Sequence, residues 1–102
     1  MLKCKDVRVT RQATSAYQRI TKDERAIPQV VSYLSRAGKT ALWAGSPKVA
    51  RNARGWCVLA TIEPGLIGLF DIDKRDENNM ILKCVLPVES LVKWIERGDF
   101  TL

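Results

Sequence analysis

The sequence predicts an α+β fold: an N-terminal strand, a helical hairpin, a three-stranded antiparallel meander and a C-terminal helix, in one domain spanning residues 1–102. Three observations carry that reading. Ala13, Tyr17, Ile20, Glu24 and Ile27 recur at steps of four and three, one face of a helix interrupted by a single acid. From Trp56 onward the period shortens to that of strands, with Glu63-Pro64-Gly65 placing Pro and Gly where a type II turn wants them. The chain has 102 residues, 46% apolar and 27% charged, enough for one core and too short for two.

The elements follow in order. Residues 2–10 are short, charged and β-branched at Val7, Val9 and Thr10, and read as a strand. Residues 10–37 read as a helical hairpin or one kinked helix. Thr21 and Glu24 fit a capping box or a helix interior. Pro28 breaks the run and suits the first turn of a second helix, where its missing N–H costs nothing. Ile27, Val30, Val31 and Leu34 continue the apolar face, and Gly38 is placed as the residue that ends the helix. Residues 38–55 read as a loop. Within it Ser46-Pro47 forms a helix start, so Lys48, Arg51 and Arg54 at steps of three lie on one face of a short helix or along a basic loop. Residues 56–62, 66–72 and 80–86 form the meander, with a polar turn at 73–79. Both faces of these strands are apolar, so both should be covered. Val88, Leu91, Val92 and Ile95 mark the last helix, with Glu89 and Lys93 one turn apart, and Gly98 ends it.

Charge divides the chain. Through residue 55 twelve Lys and Arg stand against Asp6, Asp23 and Glu24, a balance of +9; beyond it five stand against eight, −3, and the whole is +6. Such asymmetry in a small domain favours a polyanionic partner, RNA or DNA, or an acidic protein. No stretch approaches the roughly 20 apolar residues of a membrane span, so no membrane partner is expected. The first residues lack the apolar run of a signal peptide, and the expected location is cytoplasmic. There is no histidine, which excludes Ser-His-Asp and Cys-His nucleophile systems and His-ligated zinc. Cys4, Cys57 and Cys84 have no metal-ligand or redox-motif spacing and read as reduced thiols packed like small apolar residues. No cofactor and no metal are expected.

Lys48, Arg51 and Arg54 form the leading functional cluster, able to neutralise neighbouring phosphates, with Asn52 adding hydrogen bonds. Arg8 and Arg11, with Arg19 and Lys22, form a second basic group. Trp43 and Trp56 flank the basic loop; both read as core, with stacking against a base as the functional alternative. Tyr17 reads as core. Asp71, Asp73, Asp76 and Glu77 read as a solvated turn. Asp71 followed by Lys83 imitates a metal-dependent nuclease pattern, but the acid two residues before the lysine is replaced by Ile81.

The chain resembles the RelE/ParE-like toxins of bacterial toxin–antitoxin pairs over about residues 2–87. The resemblance lies in Val7-Arg8-Val9-Thr10 followed by Ala13, Tyr17 and Ile20, in the apolar Val30, Val31 and Leu34, in the basic Lys48, Arg51 and Arg54, and in the meander with Phe70-Asp71-Ile72-Asp73. It implies a cytoplasmic protein acting on or binding RNA on the ribosome, or a protein target, and an acidic antitoxin as partner. If the chain is an enzyme, the resemblance implies a ribosome-dependent mRNA endoribonuclease. Ribonuclease members carry Arg, His or Tyr after the last strand, where this chain reads Leu86-Pro87-Val88-Glu89-Ser90-Leu91. They also carry an Arg on the meander's first strand, and residues 56–62 have none. The cleavage apparatus is incomplete and no catalytic residue is assigned. The alternative is a small phage- or plasmid-type DNA-binding or protein-inhibitor module without catalysis, including a winged helix with residues 47–54 as recognition helix.

Overall fold

The computed structural model describes residues 5–75 and 78–101. The elements run β1 (Asp6–Val9), α1 (Arg11–Thr21), α2 (Ile27–Ala44), β2 (Lys48–Asn52), β3 (Gly55–Glu63), β4 (Leu66–Ile72), β5 (Asn79–Pro87) and α3 (Val88–Glu96). The fold is α+β. The sheet has five strands in the order β1-β5-β4-β3-β2, and only β1 pairs in parallel, with β5. The expected meander is therefore the middle of a larger mixed sheet. Residues 1–4 and Asp76, Glu77 and Leu102 lie outside the described residues, including Cys4 and part of the acidic turn.

Local chemistry explains the helix ends. Thr10 caps α1 by accepting the Ala13 N–H at 3.1 Å, and its hydroxyl reaches the Leu82 and Lys83 carbonyls of β5. Thr21 is the last residue of α1 and donates to the Tyr17 carbonyl at 2.7 Å, so it forms no capping box with Glu24. Glu24 lies in the linker, and Ile27 is 62% exposed. The single apolar face expected through both residues stops at Ile20. Pro28 sits in the first turn of α2, as its missing N–H favours.

Gly38 does not end that helix. It lies buried in the interior of α2, where a Cβ would meet the Phe70 ring at 3.1 Å and Val7 at 3.3 Å. Glycine serves close approach of helix to sheet here, and α2 runs on to Ala44. Residues 48–52 form a strand, and the short helix expected after Ser46-Pro47 is absent. Asn52 pairs with Gly55 across a tight turn, where Gly55 takes φ +120° and the Arg54 N–H donates to Asn52 Oδ1 at 2.9 Å.

The sheet is covered on both sides. Val7, Ala13, Tyr17, Val30, Leu34, Leu42, Val58, Phe70 and Leu82 pack between it and α1 and α2. Ala50, Cys57, Leu59, Leu86, Leu91 and Phe100 pack on the opposite face, under α3 and the C-terminal segment. A bulge in β5 sets Leu69 opposite Cys84 but Phe70 opposite Leu82, leaving Lys83 unpaired in the ladder. Its ammonium reaches the Asp71 carboxylate at 3.9 Å, so the nuclease-like pair is an exposed cross-strand ion pair.

Gly68 is the second glycine at the Phe70 ring. A Cβ there would lie 2.8 Å from Ile62 and 2.9 Å from Phe70. Gly68→Ala is expected to cost about 1–3 kcal/mol through overpacking. Urea unfolding checks this; an unchanged midpoint would show that the ring and Ile62 move aside freely.

Candidate nucleic-acid interface

Strand alternation decides where the basic residues point. On β2 and β3, Ala50, Cys57 and Leu59 face α3, whereas Val58 and Ala60 face the helical hairpin. Lys48 lies opposite Leu59 and shares the face of Ala50. Val49 and Arg51 share the other face with Trp56 and Val58. Lys48 and Arg51 thus project from opposite sides of the edge strand, not from one helix face. Arg54 is exposed in the turn, and Asn52 is half-buried with its amide oxygen used by that turn.

Arg8 and Arg11 do not join them. Arg8 lies on β1 between Val7 and Val9, which face the helices, so it points to the far side of the sheet. β1 and β2 are the two edges of the sheet, four strand spacings or about 19 Å apart. The two basic groups expected as one interface are separate surfaces.

The hairpin presents an aromatic platform. Trp56 is 69% exposed and Val49 57% exposed, so the core role expected of Trp56 is overturned. The Arg51 guanidinium lies over the Trp56 ring, 5.8 Å from its centroid. Trp43, also expected in the core, is 41% exposed near the end of α2. The backbone beneath is fixed. Arg51 N–H donates to the Thr101 carbonyl at 2.8 Å, and Thr101 N–H donates back at 2.9 Å. Phe100 beside it is buried and stacks on Trp94, with centroids 5.4 Å apart. One face of the hairpin is pinned to the core while Arg51 and Trp56 face solvent.

The stretch of chain that forms α2 and the hairpin up to Ile62 carries no opposing charge. Between Arg25 and Ile62 the sequence holds Arg25, Arg36, Lys39, Lys48, Arg51 and Arg54 and no Asp or Glu. Neither α1 nor α2 contains an acid, whereas α3 carries Glu89 and Glu96 against Lys93. The helical-hairpin side of the sheet is the basic side. Arg36 and Lys39 belong to it, and the legible signal for them was that acid-free window read with helical phase.

A second cluster lies elsewhere. Tyr17 and Tyr33 donate their hydroxyls to one oxygen, Glu63 Oε1, at 2.6 and 2.5 Å, tying α1, α2 and the end of β3 together. Burial, then the hydrogen bond to Glu63, pushes both phenols above the ordinary tyrosine range. Arg25 stacks on Tyr33 at 5.0 Å and is paired with Asp23 at 2.6 Å. Glu63 is seven residues from Trp56 along β3, about 23 Å. Asp73, expected in a solvated turn, is buried and accepts the Arg75 N–H at 2.9 Å. Burial also raises the Cys57 and Cys84 thiols, so neither is an activated nucleophile. Among the described residues no three His, Cys, Asp or Glu are grouped to hold a metal, and no helix is long and apolar enough to cross a membrane.

Comparison with family models, with curated proteins and with solved structures finds no match to the chain.

The raised Tyr17 pKa makes a statement about alkaline stability. A group whose pKa is higher folded than unfolded contributes fully below the unfolded value, about 10 for tyrosine, and loses that contribution as pH rises above it. Wild type should lose stability above about pH 10 more steeply than Tyr17→Phe. Urea midpoints on either side of that pH check this; parallel losses would mean the buried phenol ionises as readily as a free one.

Proposed function

We propose that the protein binds nucleic acid through the β2–β3 hairpin, with Arg51, Arg54 and Lys48 on phosphates and Trp56 against a base. The observation that carries this reading is the exposed Trp56–Arg51 pair, which lies with α2 in an acid-free stretch of the chain, residues 25–62. Exposed tryptophan costs solubility and contributes nothing to the core, whereas base stacking on it is worth about 1–3 kcal/mol. The cations supply attraction by counterion release. Asn52 adds little, because its side chain already serves the turn. Arg8 and Arg11 sit too far around the molecule to touch the same short ligand.

The order of strand, two helices, antiparallel strands and helix supports a narrower reading, a RelE/ParE-like protein whose polyanion is RNA on the ribosome and whose partner is an acidic antitoxin. The function would then be cytoplasmic. With no histidine in the chain, and no carboxylate or phenol in residues 48–62 of the hairpin, the cations there lack a companion general base. Purified protein should therefore bind RNA and leave it uncut. Rapid cleavage of ribosome-bound mRNA, lost on changing Arg51 or Arg54 alone, would restore a nuclease.

Binding isotherms across a salt series test the main reading. Trp56→Ala should weaken binding by about 1–3 kcal/mol with little change in salt dependence. Arg51→Ala should weaken it and flatten the slope of log K against log salt by roughly 0.7–0.9. Lys48→Ala should do less than Arg51→Ala, since it points from the other face. Equal binding by all three variants would remove the hairpin from consideration.

A further inference from the structure

The acid-free stretch of the chain that holds Arg51 and Trp56 also holds α2. At 100° per residue, Gln29, Ser32, Arg36, Lys39 and Trp43 fall on one stripe of that helix, and all five are exposed. The other face of α2 carries Val30, Leu34, Ala41 and Leu42 into the core. Three residues, Gly45, Ser46 and Pro47, separate the end of α2 from β2, at most about 14 Å from Ala44 to Lys48. Ala41 and Leu42 share a core cluster with Val58, and Val58 pairs with Val49 of the hairpin. The end of the stripe and the Arg51–Trp56 face are therefore neighbours on one side of the sheet. Arg25 lies in the linker before α2, near Gln29, Ser32 and Arg36, but is paired with Asp23, so Arg36 and Lys39 are the stripe's effective cations.

We infer that the ligand is single-stranded nucleic acid, and that its backbone runs from the hairpin onto the α2 stripe, with Arg36 and Lys39 on phosphates. This rests on the hairpin reading above. Single-strandedness follows from Trp56. In a duplex the bases are paired and stacked on each other, and only an unpaired base offers a face to an indole. Arg51 occupies one side of the ring and the solvent side remains for the base. Direction follows from charge. Beyond the hairpin turn the opposite face of the sheet leads to α3 with Glu89 and Glu96, which repel phosphates. The basic path leads to α2, where Arg36 to Trp43 adds about 10 Å of track.

The test uses the full chain and fluorescently labelled uridine oligonucleotides of about 5 and about 15 residues, bracketing the site sizes of single-strand binders. The double variant Arg36→Ala/Lys39→Ala changes exposed positions only. It should bind the short oligonucleotide as wild type does. It should bind the long one several-fold more weakly, with the salt slope flattened by roughly 1.4, the value for two phosphate contacts on a single strand. A duplex of the longer length should bind more weakly than the single strand. Equal binding of the long oligonucleotide by double variant and wild type would overturn the α2 track, while a defect in Trp56→Ala in the same assay would keep the hairpin reading. A defect in the double variant with none in Trp56→Ala and Arg51→Ala would do the reverse. Duplex binding equal to single-strand binding would overturn the single-strand assignment. Anionic phospholipid vesicles that bind with the same dependence on Arg36 and Lys39 would overturn the nucleic-acid assignment in favour of a general anionic surface.

Discussion

The Phe70 ring sets the distance between the helices and the sheet. It is fully buried in β4, and two elements approach it only because they lack a Cβ: Gly38 in α2 and Gly68 in the same strand. Two further contacts fix α2 along its length. Tyr33 reaches Glu63 at the end of β3, and Ser35 donates to the Val7 carbonyl of β1 at 2.7 Å. A helix held at three points cannot roll, so its outward residues are decided by its inward ones. Arg36 and Lys39 face solvent because Leu34, Gly38 and Leu42 face the ring and its neighbours.

The same geometry explains why a tryptophan is left in water. The β2–β3 hairpin is buried on one face, where Ala50, Cys57 and Leu59 meet Leu91 and Phe100. On its other face helix cover reaches Val58 and stops short of Trp56 and Val49. The backbone pairing of Arg51 with Thr101 holds the edge from the side. The hairpin is rigid from beneath and bare above. A bare aromatic on a rigid support loses little freedom on binding, which favours its use as a contact. The β1 edge is treated differently. The Val7 N–H donates to the Asp6 carboxylate at 2.9 Å and its carbonyl accepts from the Ser35 hydroxyl, so that edge is closed by side chains.

Much of the architecture was legible because its signals are local. Tyr17 at the heart of α1, Pro28 in the first turn of α2, the Pro64-Gly65 turn and the apolar period of α3 all act within a few residues. What was not legible depended on partners distant in the chain. β2 buries a single residue, Ala50, so it has no apolar alternation, and Ser46-Pro47 imitates a helix start. Gly38 reads as a helix end until Phe70 is known to lie above it. Spacing of three suits one face of a helix; on a strand it puts Lys48 and Arg51 on opposite faces, and that one change of element divides the expected cluster. Arg8 and Arg11 are close to the rest in sequence charge but belong to the far edge, because β1 pairs with β5.

The separation of groups also bears on what the surface can do. The acid and phenols capable of proton transfer, Glu63, Tyr17 and Tyr33, are spent on one another at the end of β3 away from the hairpin. Raising the phenol pKa values makes them poorer bases, as befits a cross-brace between helices and sheet. The hairpin up to Ile62 and the α2 stripe, in turn, hold cations, an indole and amide or hydroxyl groups, and no carboxylate, phenol or imidazole. Chemistry that needs both kinds of group in one place would require them to be within hydrogen-bond reach of a common ligand. About 23 Å of strand lies between Glu63 and Trp56 of the hairpin, and Tyr33, though three residues from Arg36 on α2, has its hydroxyl committed to Glu63. The molecule therefore divides into a brace that holds its shape and a surface of exposed cations and an indole, which is the division the proposed binding requires.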